Sequence, residues 1–264
     1  MISLWAKQGL QSICTFYIAK AGWKQRSIHD LQMLLSLFNS RYTKGREMAK
    51  THSAFIGLMQ RARNVKRWPL MAQFQEEMLS THIYEASMVA HMLGAIAADV
   101  FNEDVDPDRV AAMAIFHEGS EIAGMSDIPS PVKYHDPETT AAIKKLERRF
   151  EAMLIQTLPE PLQKRYQPLI EQDKDDIHVR LAKAADVLCA YLKCDYELSK
   201  SNSEFSNAMY EMEVQLKQYR ERFQSVEYFC KVFLEDAKGT LDEQTKDLDW
   251  VERANTLHLD SEQN

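Results

Sequence analysis

A chain of 264 residues with 32 Lys/Arg against 39 Asp/Glu, net −7, can bury a substantial core in one domain with appendages; it is too acidic to coat a nucleic-acid polymer. Only eight glycines and eight prolines, with Ala, Leu, Met, Glu, Lys and Gln recurring, favour long helices over sheets, so the expected fold class is all-α. The four cysteines, Cys14, Cys189, Cys194 and Cys230, have neither C-x-x-C spacing nor a disulfide framework, which argues against zinc-finger chemistry and for a reducing cytoplasm.

Residues 1–47 stand apart, with seven Lys/Arg against Asp30 and Glu47, a net +5 that leaves −12 for the remainder. The apolar run Ile13 to Ala19 is broken by Lys20, is too short to span a bilayer and lacks a small-residue cleavage site, so neither a membrane span nor a secretory signal is expected. With Trp5, Phe16, Tyr17 and Trp23 but no evident partner surface, 1–47 is expected to lie outside the core. It is either an over-extended start or an amphipathic arm for a membrane or partner.

From about Ser53 the pattern is helical, with Phe55, Leu58, Met59 and Ala62 at three- and four-residue spacing. Arg67-Trp68-Pro69-Leu70-Met71 interrupts it, because Pro69 disfavours helix at Trp68. A helix from about Thr81 to Phe101 follows, then a third opened by Asp106 as N-cap with Pro107 in its first turn and ended near Gly124. Further helices are expected over 137–157, 160–171, 177–199 and 203–236, punctuated by Pro159, Pro161 and Pro168. The core is therefore placed at 48–236 and a polar tail at 237–264, where Leu241, Leu248 and Trp250 can dock as one short helix. Met88, Met92, Met113 and Met153 are assigned to core packing.

Ionisable groups in apolar helices are the anomaly that points to chemistry. His117, Glu118 and Glu121 follow the run Val110 to Phe116; His82 opens a helical run; Asp186 sits within Leu181 to Ala190. A buried carboxylate is costly unless paired, hydrogen-bonded or metal-bound. One ion held by three helices would account for all of them. Adjacent His117 and Glu118 project about 100° apart, so they share an ion only near a helix end or across a groove. Imidazole plus carboxylate suits Mn, Co, Ni, Zn or Fe and not a calcium cage. On the residues alone, a structural histidine bonded to a local acid remains equally open, as does Asp186 paired with Lys183. His91 is read as structural, and His52, His135, His178 and His258 need no function. Arg67 and Trp68 suit a phosphate and a sugar or base, or else a surface arginine beside a core tryptophan.

The ordered blocks Arg67-Trp68-Pro69-Leu70-Met71, His82 with Met88-Val89-Ala90-His91, His117-Glu118 with Ser120-Glu121, Asp127-Ile128-Pro129-Ser130-Pro131-Val132-Lys133-Tyr134, and Lys183-Ala184-Ala185-Asp186 with Leu188 to Cys194 resemble the bacterial 5′-deoxynucleotidases of the HD-domain phosphohydrolase superfamily. The resemblance covers about 48–236. It implies an all-helical HD-domain bundle with a metal site between helices, commonly a homodimer, that uses one divalent metal to hydrolyse deoxyribonucleoside 5′-monophosphates. By the resemblance, His82, His117, Glu118 and Asp186 are the metal ligands, and Glu121 is the catalytic carboxylate. Arg67 holds the phosphate, Trp68 orients the substrate, His82 also lies against it, and Asp127, Ile128, Pro129 and Ser130 contact the sugar.

Three positions depart from that pattern. Glu118 replaces the usual aspartate and is one methylene longer. Thr81 stands before His82 where the family has glutamate, so an orienting contact is expected to be missing. The loop between Glu121 and Asp127 is one residue longer. These departures motivate an alternative reading, a degenerate HD protein that binds metal or nucleotide without turnover. Another HD phosphohydrolase, acting on a cyclic nucleotide or an alarmone, is disfavoured by the Arg-Trp-Pro-Leu-Met block.

Overall fold

The computed structural model describes residues 52–245; the expected extension at 1–47, and Leu248, Trp250 and His258 of the tail, lie outside the described residues. Two aspartates ahead of prolines open helices. Asp106 accepts from the amides of Asp108 and Arg109, and Asp136 from those of Glu138 and Thr139, so orphan N–H groups of the first turns are satisfied while Pro107 and Pro137 give up none. In chain order the helices are α1 (Phe55–Met59), α2 (Leu79–Ala95), α3 (Pro107–Phe116), α4 (Ser130–Lys133), α5 (Pro137–Thr157), α6 (Glu160–Ile170) and α7 (Ile177–Ser199). α8 (Ser206–Arg222), α9 (Gln224–Val232), α10 (Leu234–Lys238) and α11 (Leu241–Thr245) complete the described chain. Strand pairing among the described residues is limited to one isolated bridge between Lys66 and Met78, so the fold is all-α as expected.

The centre is made by α2, α3 and α7, whose facing positions are small. Ala86 and Ala90 of α2, Ala114 of α3, and Ala184 and Ala185 of α7 are fully buried, as are Leu93, Val110 and Leu188. Close approach follows from that choice. A Cβ at Gly94 would lie 2.8 Å from the Cα of Pro107, so the end of α2 meets the start of α3 only because position 94 has no side chain. Each fully buried Leu contributes about 1.5–3 kcal/mol. A second cluster of Phe55, Ala123, Leu154, Ile155, Leu158 and Ile170 packs α1, α5 and α6 beneath the segment that follows α3.

Two expectations are corrected. The helix placed at 203–236 is broken at Phe223, which is extended at φ −124° and ψ 119°. The break lets Phe223, Val226 and Phe229 all enter the central core, and that burial outweighs helix continuity. Arg220 spans it with a 2.7 Å ion pair to Glu227. Of the four methionines assigned to the core, only Met113 is buried; Met88, Met92 and Met153 are 56%, 40% and 41% exposed. On α2 the buried register is 82, 86, 89, 90 and 93, so positions 88 and 92 project to the opposite side. At the far end α10 runs through the expected core boundary at 236, and Lys238 ties it to α7 through Tyr191 Oη at 3.2 Å and Asp195 at 3.4 Å. Leu241 is 73% exposed.

Candidate metal centre and phosphate site

α3 stops at Phe116, and the chain leaves regular α geometry at His117 and Glu118 before a wide turn over Glu121–Met125. This is the helix end that two adjacent ligands need. The turn closes on Gly124 at φ 150°, a conformation that side chains rarely adopt, and a Cβ there would meet the Phe150 ring at 2.9 Å. Ser126 follows at φ 63°, and Asp127 turns back toward the site.

His82 from α2, His117 and Glu118 from the end of α3, and Asp186 from α7 each present one donor atom, all within 4.8 Å of one another. His82 Nε2 is 3.0 Å from Asp186 Oδ1 and 3.3 Å from His117 Nε2, which is 3.2 Å from Glu118 Oε1. Four donors about 2 Å from one centre are separated by distances of this order. His117 Nδ1 donates to the carbonyl of Ala114 at 2.6 Å, so a neutral His117 carries its lone pair on Nε2, aimed into the cluster. Asp186 has its other oxygen on Lys183 Nζ at 2.5 Å, leaving Oδ1 for the centre. Two imidazole nitrogens and two carboxylate oxygens, buried and convergent, fit a divalent transition metal. The longer Glu118 still reaches the cluster, and its Oε1 also lies 3.5 Å from Arg67 Nη1.

Burial opposes ionisation of Glu118, yet His117 and Arg67 hold its carboxyl well below the usual range. His117 is likewise pushed up to about 10, against burial, by Glu118 and Asp186. Glu121 is the opposite case. Its pKa rises to about 9, first through burial and then through Glu118 and Asp127, and its Oε2 is buried without a hydrogen-bond partner.

The segment before α2 brings Arg67 and Trp68 to this centre. Trp68 sits at φ 53°, a left-handed conformation uncommon for a bulky residue; its amide donates to Asp127 Oδ2 at 2.9 Å, and its ring packs on Phe205 at 5.4 Å. The two predicted substrate segments are thus tied to each other. Ile128 and Pro129 are half-buried beside Asp127, while Ser130 is exposed at the start of α4. His91, by contrast, is exposed beside Asp108, and His178 bridges the Asp106 amide and Asp176 at the starts of α3 and α7.

Two acids escaped the sequence reading. Glu77 is buried, with Trp68 Nε1 donating to Oε2 at 2.8 Å and His82 Nδ1 3.5 Å from Oε1. It stands where an orienting acid for His82 was expected to be missing; five residues ahead of His82 and before the helix begins, it has no periodic signal. Glu197 does carry one, since it follows Asp186 by eleven residues, about three turns along the same face of α7. It is fully buried and accepts from the amides of Phe74 at 2.7 Å and Gln75 at 3.1 Å, from Lys193 at 2.5 Å and from Asn202 at 2.8 Å. Lys193 also donates to the Gln75 carbonyl, so α7 clamps the segment that carries Arg67 and Trp68.

Glu197→Ala leaves the Phe74 and Gln75 amides without their acceptor and Lys193 without its counter-ion, and should destabilise the fold by about 3–5 kcal/mol at neutral pH. Burial opposes its charge, but Lys193, Asn202 and the two amides bring its pKa down to about 2 from 4.5. The contribution is therefore complete above pH 4.5 and is lost as pH falls toward 2. Urea unfolding at pH 7 and pH 3 should show the deficit of the variant shrinking at the lower pH.

A helical bundle whose inner faces gather two histidines and two carboxylates, with a cation alongside, defines an HD-domain phosphohydrolase fold. A solved HD-domain phosphohydrolase from Listeria innocua superimposes with a TM-score of 0.62 at 23% identity, over 77% of this chain and 97% of that one. Residues 54–237 match the family described as 5′-deoxynucleotidase YfbR-like, and the chain belongs to that family. A 5′-deoxynucleotidase of Erwinia tasmaniensis is 39% identical over 193 residues, 73% of this chain and 96% of that protein. The 5′-deoxynucleotidase YfbR of Escherichia coli O1:K1 is 37% identical over 196 residues, 74% of this chain and 97% of that protein.

Proposed function

We propose that this protein is a metal-dependent 5′-deoxynucleotidase, hydrolysing deoxyribonucleoside 5′-monophosphates to deoxyribonucleosides and phosphate. The observation that carries the reading is the convergence of His82, His117, Glu118 and Asp186 on one point with Arg67 beside it. Relatives named 5′-deoxynucleotidase, similar along nearly their whole length, support the substrate class.

His82, His117, Glu118 and Asp186 would hold one divalent ion of Co, Mn, Ni, Zn or Fe. When bound, such an ion supplies positive charge to the phosphoryl oxygens and makes water more acidic. Arg67 adds a fixed cation for the transferring phosphoryl group. Trp68 and the segment Asp127, Ile128, Pro129 and Ser130 orient the nucleoside, with the Trp68 amide and Asp127 fixing each other. Water attacks phosphorus, the bond from phosphorus to O5′ breaks, and the proton lost by water is returned to O5′. Glu121, one turn past His117, with an unpartnered oxygen and a raised pKa, is the group that exchanges that proton.

The degenerate alternative loses weight on both its motivations. Glu118 reaches the cluster despite its length, and Glu77 faces His82 in place of the acid absent at Thr81. Chelated protein reloaded with each metal and assayed on deoxyribo- and ribonucleoside 5′-monophosphates tests the reading. Metal-restored turnover that favours dAMP over AMP is expected; chelator-insensitive activity, or equal rates on the two, overturns it.

The reading extends to a homodimer, supported by Tyr84, Met88 and Met92, which expose an apolar stripe at four-residue spacing along α2. Sedimentation of the full chain checks this. It also extends to the cytoplasm, supported by the three free buried thiols of Cys189, Cys194 and Cys230. Among the described residues no helix is long and apolar enough to cross a membrane.

A further inference from the structure

Glu77 is a buried acid whose contacts reach beyond His82. One oxygen, Oε2, accepts from Trp68 Nε1 at 2.8 Å and lies 3.5 Å from Arg67 Nε; the other, Oε1, lies 3.5 Å from His82 Nδ1. The groups it faces are themselves short of partners. Arg67 Nε and His82 Nδ1 are both buried with no hydrogen-bond partner, and each faces Glu77 at ion-pair distance. Its own position is fixed from behind, because its amide donates to Gln73 Oε1 at 3.2 Å and its carbonyl accepts from the Arg67 amide at 2.9 Å.

The tautomer argument gives this arrangement a consequence. His82 turns Nε2 into the cluster, 3.0 Å from Asp186 Oδ1 and 3.3 Å from His117 Nε2. A nitrogen that donates a lone pair to a metal carries no proton, so the proton of a neutral His82 must sit on Nδ1, the atom that faces Glu77. His117 solves the same problem with the carbonyl of Ala114, a neutral acceptor. His82 is given a carboxylate, a stronger acceptor that makes the imidazole more basic toward a metal. The second oxygen of that carboxylate accepts from the Trp68 indole and lies against the Arg67 guanidinium, the two residues read as substrate-binding.

We propose that Glu77 is a positioning residue that couples the metal ligand His82 to the substrate residues Arg67 and Trp68, setting the tautomer of one and the orientation of the others. This rests on the metal-dependent nucleotidase reading of the site. Loss of Glu77 should therefore weaken metal binding and substrate binding together, although Glu77 touches neither. A purely structural acid would change thermal stability and leave both affinities alone.

The test compares the full-length wild-type chain with Glu77→Gln in three measurements: melting temperature, cobalt(II) affinity by calorimetry without nucleotide, and KM for dAMP at saturating cobalt. Glu77→Gln keeps the shape but replaces one acceptor oxygen by a donor, which cannot serve the Trp68 and His82 N–H groups together. Cobalt affinity is expected to fall by roughly 10–100-fold. The KM for dAMP is expected to rise several-fold even when the metal site is full. Unchanged cobalt affinity or unchanged KM in a folded variant overturns the proposal. Should Glu77→Gln not fold, Trp68→Phe, which removes only the indole donor from Oε2, replaces it. A cobalt affinity identical to wild type there overturns the coupling, since Trp68 lies outside the ligand set. Wild-type protein that binds no cobalt refutes the metal reading itself. Wild-type protein that binds cobalt but hydrolyses no dAMP refutes the nucleotidase reading, and the cobalt arm still decides whether Glu77 acts on His82.

Discussion

Glu121→Gln is expected to lower turnover of dAMP by roughly 10²–10⁴ while leaving metal content unchanged. Glu121 lies outside the four-donor cluster, and its Oε2 is buried with no partner, which is costly for a group with no task. Its pKa of about 9, raised first by burial and then by Glu118 and Asp127, lies well above the ordinary 4.5. In the metal-free protein the folded state keeps this proton between pH 4.5 and 9 while the unfolded chain has released it. Stability from this group is therefore complete below the unfolded value and is lost as pH rises through the folded one. Glutamine carries no such penalty. Chelated Glu121→Gln should melt above chelated wild type at neutral and alkaline pH, with the gap widening as pH approaches 9. A variant that is less active and more stable in this way marks a residue kept for chemistry at a cost in stability. Metal-free Glu121→Gln under loading conditions would instead make Glu121 a ligand.

The candidate ligands stood out as ionisable residues at the edges of, or within, apolar helical runs, but the runs alone left a structural pairing equally open and the family resemblance assigned all four to one ion. The structure brings donor atoms of His82, His117, Glu118 and Asp186 within 4.8 Å. The start of α3 was legible for an equally local reason, since Asp106-Pro107 is a cap written in adjacent residues. What periodicity could not supply was long-range. Phe223 breaks a helix that its neighbours' propensity would continue, because the core it enters is built by α2 and α7. Met88 and Met92 are apolar residues in an apolar helix, and only the packing of the alanine face against α3 and α7 decides that they point outward. Glu77 and Glu197 are set by partners in the segment 67–75 and across it, where contact in space replaces spacing in sequence. Glu197 differs in that its three-turn offset from Asp186 placed it on a buried face in advance, a signal that burial of an acid at position 186 makes readable.

Asp186→Asn should abolish metal-dependent stabilisation and turnover together. Asp186 contributes Oδ1 to the centre and its other oxygen to Lys183 at 2.5 Å, so the substitution removes a charged donor and leaves a cation facing a neutral amide. Burial alone would raise its pKa; Lys183, His117 and His82 overcome that and keep it ionised, which is the form a metal requires. Loss of a partner one atom removed from a metal already costs about 10–100-fold in affinity, and loss of a direct charged donor should exceed that. Wild-type protein in cobalt at about 100 times its Kd gains roughly 2.7 kcal/mol over the chelated form. For a folded unit of this size that is a rise in melting temperature of about 5–10 °C. Asp186→Asn should show no such rise at the same cobalt concentration, and its turnover should be at background. The two readouts separate the ligand role from the fold, because chelated wild type and chelated variant are compared without metal. A variant that keeps the cobalt-dependent rise would remove Asp186 from the ligand set and leave its carboxylate as the buried partner of Lys183 and His82.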